Sequence, residues 1–158
     1  MMGGQPMNTG TRDRTVLAID PVSNTWAVVY DGQVKEAGAL VCKDPMAPDY
    51  LLAPHNQALT LIADYAPDLA ALAAVRVSAE NLARALLAIE VQAAVSVAAA
   101  ALLEPENVLY VELRDDGPAR SAAVIGLAAD DELVRRSDVV SEAEEVAAKA
   151  WEADDGGY

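Results

Sequence analysis

Four carboxylates carry the chemistry that can be read from this chain. Asp20 closes Val16-Leu17-Ala18-Ile19-Asp20-Pro21, a short apolar run of the kind that forms a buried strand, so its acid is delivered at the strand's C-terminal end. Glu80 follows the β-branched segment around Val75-Arg76-Val77 and would stand at a strand end in the same way. Glu142 and Glu145 are three residues apart in an Ala-rich stretch and share a face if that stretch is helical. Carboxylate oxygens suit Mg²⁺ or Mn²⁺. Two such ions about 3.5–4 Å apart clamp the attacking and leaving oxygens of a phosphodiester during hydrolysis. In a chain with 25 acids such spacings also arise by chance, and local duties are at hand: Asp20-Pro21 before Ser23-Asn24 is turn chemistry, and Ser141 with Glu144 has the spacing of a capping box.

The elements that must position these acids follow from periodicity and punctuation. After the first strand, Thr25 to Tyr30 and Val34 to Cys42 read as two more, joined by Asp31-Gly32, a dipeptide that favours the positive φ of a tight hairpin. A loop with Pro45 and Pro48 leads to a helix from Leu51 to Tyr65, stopped by Pro67. The fourth strand is expected from Leu72 to Ser78. A helix from Asn81 to Leu103 is apolar on most of its circumference, which predicts cover on more than one side. Val108 to Leu113 is the fifth strand, and Asp115 to Pro118 a turn. Two short helices, Ala119 to Leu127 and Asp130 to Arg136, are expected to join through Gly126, and a last helix runs from Ser141 to Ala153. Residues 1–14 read as a flexible leader, 15–153 as one domain and 154–158 as a flexible tail.

The order β-β-β-α-β-α-β-α is that of the α/β ribonuclease H-like fold, a mixed five-stranded sheet of three antiparallel and two parallel strands flanked by helices. There the first strand neighbours the fourth, so Asp20 and Glu80 would emerge at one edge. Val16-Leu17-Ala18-Ile19-Asp20-Pro21-Val22-Ser23 resembles the opening strand and Asp-Pro-Gly-Ser turn of the RuvC Holliday-junction resolvases. Gln92-Ala93-Ala94-Val95-Ser96-Val97-Ala98 resembles the Gln-Ala-Arg-Gly-Val-Ala stretch of their long helix. Val108-Leu109-Tyr110-Val111 with Ser121-Ala122-Ala123-Val124-Ile125-Gly126-Leu127-Ala128 is similar to their fifth strand and the Lys-x-x-Val-x-Gly-x-Gly segment behind it. The 142–150 stretch is similar to the Asp-x-x-Asp-Ala-x-Ala-x-Ala pattern of their last helix. The resemblance implies a divalent-metal-dependent endonuclease on branched DNA, working as a homodimer, with Asp20, Glu80, Glu142 and Glu145 as metal-binding catalytic acids and Mg²⁺ or Mn²⁺ as cofactor. The 81–103 helix is the expected dimer contact, with Val95 on its joining face.

Three departures leave a second reading open, a catalytically inactive ribonuclease H-like binding or structural module. Val22 stands where the resolvases have a Gly, Ser121 where they have a Lys, and Glu142 and Glu145 where they have Asp. A ribosomal-RNA-processing relative of the same fold fits the first strand equally.

Composition bounds the rest. The single cysteine, Cys42, excludes an intrachain disulfide and a Cys-based zinc site, and the single histidine, His55, excludes a His cluster. The net charge of −14 argues against nucleic acid in ordinary salt, yet an acidic, Ala- and Val-rich, Phe-free chain also fits salt-in halophiles, where charge is screened. The nearly uncharged run Val91 to Leu103 is shorter than a bilayer span, so no membrane partner is expected. The chain is expected to be cytoplasmic, with a halophilic host compatible with its composition and a viral gene compatible with its departures from the resolvase motifs.

Overall fold

β1, Thr15–Asp20, lies at the centre of a five-stranded sheet ordered β3-β2-β1-β4-β5. The structure, a computed structural model, describes residues 14–112 and 120–131. The turn expected at 115–118, the helix bearing Glu142 and Glu145, and both expected termini lie outside the described residues. β2, Thr25–Tyr30, and β3, Gln33–Ala39, form the expected antiparallel hairpin. Asp31 and Gly32 take φ of 54° and 71°, the pair of positive values that lets a two-residue turn follow the strands' twist. α1, Leu52–Tyr65, leads to β4, Leu69–Ala73, which pairs parallel with β1. α2, Leu82–Leu102, then leads to β5, Val108–Val111, parallel to β4. Residues 122–131 are helical and are called α3. This is the ribonuclease H-like sheet, three antiparallel strands continued by two parallel ones.

Period-two alternation decides what each face buries. Leu17, Ile19, Val28, Ala70 and Leu72 pack beneath α1 and α2, against residues such as Ala58, Ile62 and Val95. Val16, Ala18, Ala27, Val29 and Ala71 point to the opposite face, where Ala122, Ile125 and Ala129 of α3 cover them. Asp20 shares the parity of Val16 and Ala18 and belongs to the α3 face.

Three expectations are corrected. Strand four is Leu69–Ala73 and not 72–78. β1 pairs with it only as far as Ile19 opposite Leu72, and Asp20-Pro21 then turns away, so among the described residues Val75-Arg76-Val77 has no strand on the β1 side to continue the ladder. The chain from 122 to 131 is one helix running through Gly126, not two joined there. A Cβ at 126 would stand 2.7 Å from Val29 Cγ2 and 3.1 Å from Ala18 Cβ, so this glycine is a point of close approach between helix and sheet rather than a joint. Val95 is 1% exposed beneath the sheet and cannot be a contact between subunits.

α2 is longer than the uncharged run inside it suggested. By length and composition it could cross a bilayer, with Arg84 and Glu90 its only charges. Here one side of it packs on α1 and the sheet through Ala85, Ala88, Val95, Ala98 and Ala99. Leu82, Leu86 and Val97 lie on the other side, about half exposed.

Candidate functional site

Asp20 is fully buried, and every acceptor direction of its carboxylate is filled. Oδ1 accepts the Val22 N–H at 3.0 Å and Arg120 Nη2 at 3.1 Å. Oδ2 accepts Ser23 Oγ at 2.7 Å and Arg120 Nε at 3.0 Å. A carboxylate offers about four such positions, and here two belong to the β1–β2 turn and two to the fork of one guanidinium. The ion pair is secluded, with Arg120 only 9% exposed. Arg120 Nη2 also donates to the carbonyl of Ala74, just past β4, and so bridges the ends of the two central strands at 3.2 Å.

The proton order of the surrounding hydroxyls follows by elimination. A carboxylate only accepts, so the Ser23 hydroxyl spends its proton on Asp20. The 2.8 Å contact between Ser23 Oγ and Thr25 Oγ1 is then donated by Thr25. Thr25 Oγ1 in turn accepts the Ala122 N–H at 2.9 Å, satisfying one of the free amides at the start of α3. The helix end is tied to Asp20 through two hydroxyls.

Gln92 fixes the neighbouring element. Its side-chain amide donates to the Ala73 carbonyl at 2.6 Å, anchoring α2 to the end of β4, while Ser96 Oγ bonds the Gln92 carbonyl and the Tyr110 hydroxyl. Beside the β1–β2 turn opens a cleft of about 240 Å³ lined by Val22, Asn24, Cys42, Lys43 and Arg84 among others. Burial pushes the Cys42 thiol above its usual range. Lys43 pairs with Asp49 at 2.7 Å at the outer edge, where both are half exposed.

Of the four predicted acids, Asp20 ends β1, paired with Arg120 rather than placed beside Glu80. Glu80 lies in an exposed loop seven residues beyond the end of β4. That loop is closed by Asn81 Oδ1, which accepts the Ser78 N–H and hydroxyl, and its approach is pinned by an Arg76–Glu112 ion pair of 3.0 Å. Glu142 and Glu145 lie outside the described residues. Among the described residues no group of three or more His, Cys, Asp or Glu converges. A second buried acid, Asp130, sits eight residues along α3 from Ala122, about 12 Å up the helix axis, and belongs to the far end of the sheet.

Among the described residues the site is one carboxylate whose acceptor positions are already filled, so these residues alone do not make a divalent-cation site. Asp20 takes a positive charge across both its oxygens from the Arg120 guanidinium, and no His or Cys bonds to it among the described residues. Arg120 was not foreseen. It directly precedes Ser121, where the resemblance registers a missing cation, and the structure supplies one from the adjacent position.

No family model and no curated protein matches the chain by sequence. Among solved structures the chain is similar to Thermus thermophilus RuvC in complex with a Holliday junction substrate, at 18% identity and a TM-score of 0.57, covering 78% of this chain and 96% of that one. A second T. thermophilus RuvC structure aligns at 17% identity over the same shares with a TM-score of 0.47. The first of these likenesses shows the fold, a ribonuclease H-like mixed sheet flanked by helices.

Proposed function

We propose that the chain is a divalent-metal-dependent endonuclease acting on branched DNA. The observation that carries this is Asp20, a fully buried carboxylate at the end of the central strand, already holding a cation, on a fold similar to that of a junction-bound resolvase. Asp20, with Glu80, Glu142 and Glu145, would hold Mg²⁺ or Mn²⁺. The metal would supply an activated water and charge stabilisation at the leaving oxygen. The rest falls to the chain itself: Ser23 and Val22 orient Asp20, Gln92 fixes the strand end, and Arg84 puts positive charge along the adjoining cleft for phosphates.

A homodimer goes with this reading, since two symmetric nicks on a four-way junction call for two symmetric sites. Leu82, Leu86, Ala93 and Val97, exposed at helical spacing along α2, are the surface proposed to join the copies. The acidic composition supports a salt-rich cytoplasm as the setting.

The second reading, a catalytically silent module that binds branched DNA, is favoured by one observation: Arg120, Ser23 and Val22 together saturate Asp20. Incubating the protein with a synthetic four-way junction and Mg²⁺ or Mn²⁺ over a broad salt range separates the two. Paired nicks support the enzyme, whereas binding without cleavage leaves the module.

A further inference from the structure

We propose that the cleft beside the β1–β2 turn takes a single unpaired base of the branched DNA, so that the chain selects DNA in which a base is free to leave the stack. The inference rests on reading branched DNA as the substrate.

The cleft is held open by bonds from its own walls. Gln57 of α1 clamps the end of β3, its Oε1 accepting the Val41 N–H at 2.7 Å and its Nε2 donating to the Ala39 carbonyl at 3.1 Å. The Tyr50 hydroxyl donates to Glu90 and so ties the entrance of α1 to α2. Both walls are fixed before anything binds, which lowers the ordering cost of binding.

Size and lining suit one base. At about 240 Å³ the cleft falls below the roughly 300–1,000 Å³ of sites for drug-sized ligands. Val22, Val41, Pro45 and Leu87 offer apolar surface to the faces of a ring, and the Asn24 amide carries both a donor and an acceptor for its edge. A base stacked and paired in a duplex cannot reach such walls, whereas one extruded from the stack can.

Charge points the same way. In a chain of net charge −14, the acids bonded to this lining are already taken up, Asp49 by Lys43 and Glu90 by the Tyr50 hydroxyl. Arg84 lines the same cleft and forms no ion pair among the described residues, which leaves its guanidinium to the phosphate beside the base.

The test is fluorescence-anisotropy binding of the full chain, without divalent metal, to labelled duplexes carrying one unpaired thymine, an abasic site in place of that thymine, or no unpaired position, with a four-way junction measured alongside. The duplex with the unpaired thymine is expected to bind about tenfold more tightly than the abasic one, as insertion of one base would give. Cys42→Trp, at an exposed position in the lining, should fill the cleft and erase that difference. If Cys42→Trp shows no cooperative melt, wild-type protein alkylated with a bulky maleimide at Cys42, the single cysteine, takes its place with the same expectation. Arg84→Gln should weaken binding and lower its salt dependence. Equal affinity for the thymine and abasic duplexes overturns the proposal, as does a preference that survives a filled cleft or a salt dependence that Arg84→Gln leaves unaltered. A junction bound without any preference for the unpaired thymine would sink this inference and leave the branched-DNA reading standing, and binding to none of these DNAs would sink both.

Discussion

Asp20 was legible from its strand, but its partner was not. The run from Val16 to Asp20 announces a buried strand ending in an acid, whereas nothing in local sequence ties position 20 to position 120. Only the fold brings them together, and it does so one residue before the position where a cation was missed. The consequence for mutagenesis is a change of sign in expectation. On sequence grounds Asp20→Asn removes a metal ligand at constant volume and leaves the fold intact. In the structure it also strips Arg120 of its carboxylate and sets an amide N–H₂ against a donor. Asp20→Asn is therefore expected to cost about 3–5 kcal/mol in denaturant unfolding, as breaking a buried pair does; an unchanged midpoint would mean that the pair is not formed. Cys42 offers a second probe at this scale. Burial raises its thiol pKa, so less thiolate is present near neutrality than on a free cysteine. Alkylation by iodoacetamide near neutrality should be slower than for a model thiol and accelerate as the pH rises. Because Cys42 lines the cleft beside the β1–β2 turn, bound junction DNA should slow it further.

The elements show why some boundaries could be read and others could not. The hairpin turn at Asp31-Gly32 and the limits of α1 follow from residues with strong backbone preferences, and the structure keeps both. β4 is Leu69-Ala70-Ala71-Leu72-Ala73, a composition favouring helix, and it becomes a strand because it is buried between β1 and β5 on both faces. The β-branched Val75-Arg76-Val77 has the better strand propensity but no strand partner among the described residues. Burial, not propensity, decides here. Gly126 teaches the same lesson, since a glycine inside a helical pattern suggests a break until the sheet beneath it is known. Gly126→Ala should lower stability by about 1–3 kcal/mol despite the gain in helix propensity, because neither Val29 nor Ala18 has a flexible end to move aside. A thermal melt equal to or above wild type would show that α3 can lift from the sheet at no cost.

For the whole molecule, the open questions are what covers the outer side of α2 and what enters the cleft. The apolar circumference of the 81–103 segment was visible in the sequence, but which residues face the sheet was not, because Ala and Val occur on every side of the helix. The structure separates Val95, in the core, from Val97, 61% exposed. Leu86→Glu or Val97→Glu should convert the proposed dimer to folded monomer in sedimentation at high salt, whereas Val95→Glu should fail to fold. A folded wild-type monomer at micromolar concentration would remove the dimer from the account. The central claim is that the RuvC-like fold around Asp20 cuts branched DNA, and cleavage of an end-labelled synthetic four-way junction tests it most directly. With Mn²⁺ present, from low to molar salt, wild-type protein is predicted to give symmetric paired nicks that chelation abolishes and a linear duplex control does not show. A junction that is bound and shifted but left intact under every metal and salt condition would contradict the claim.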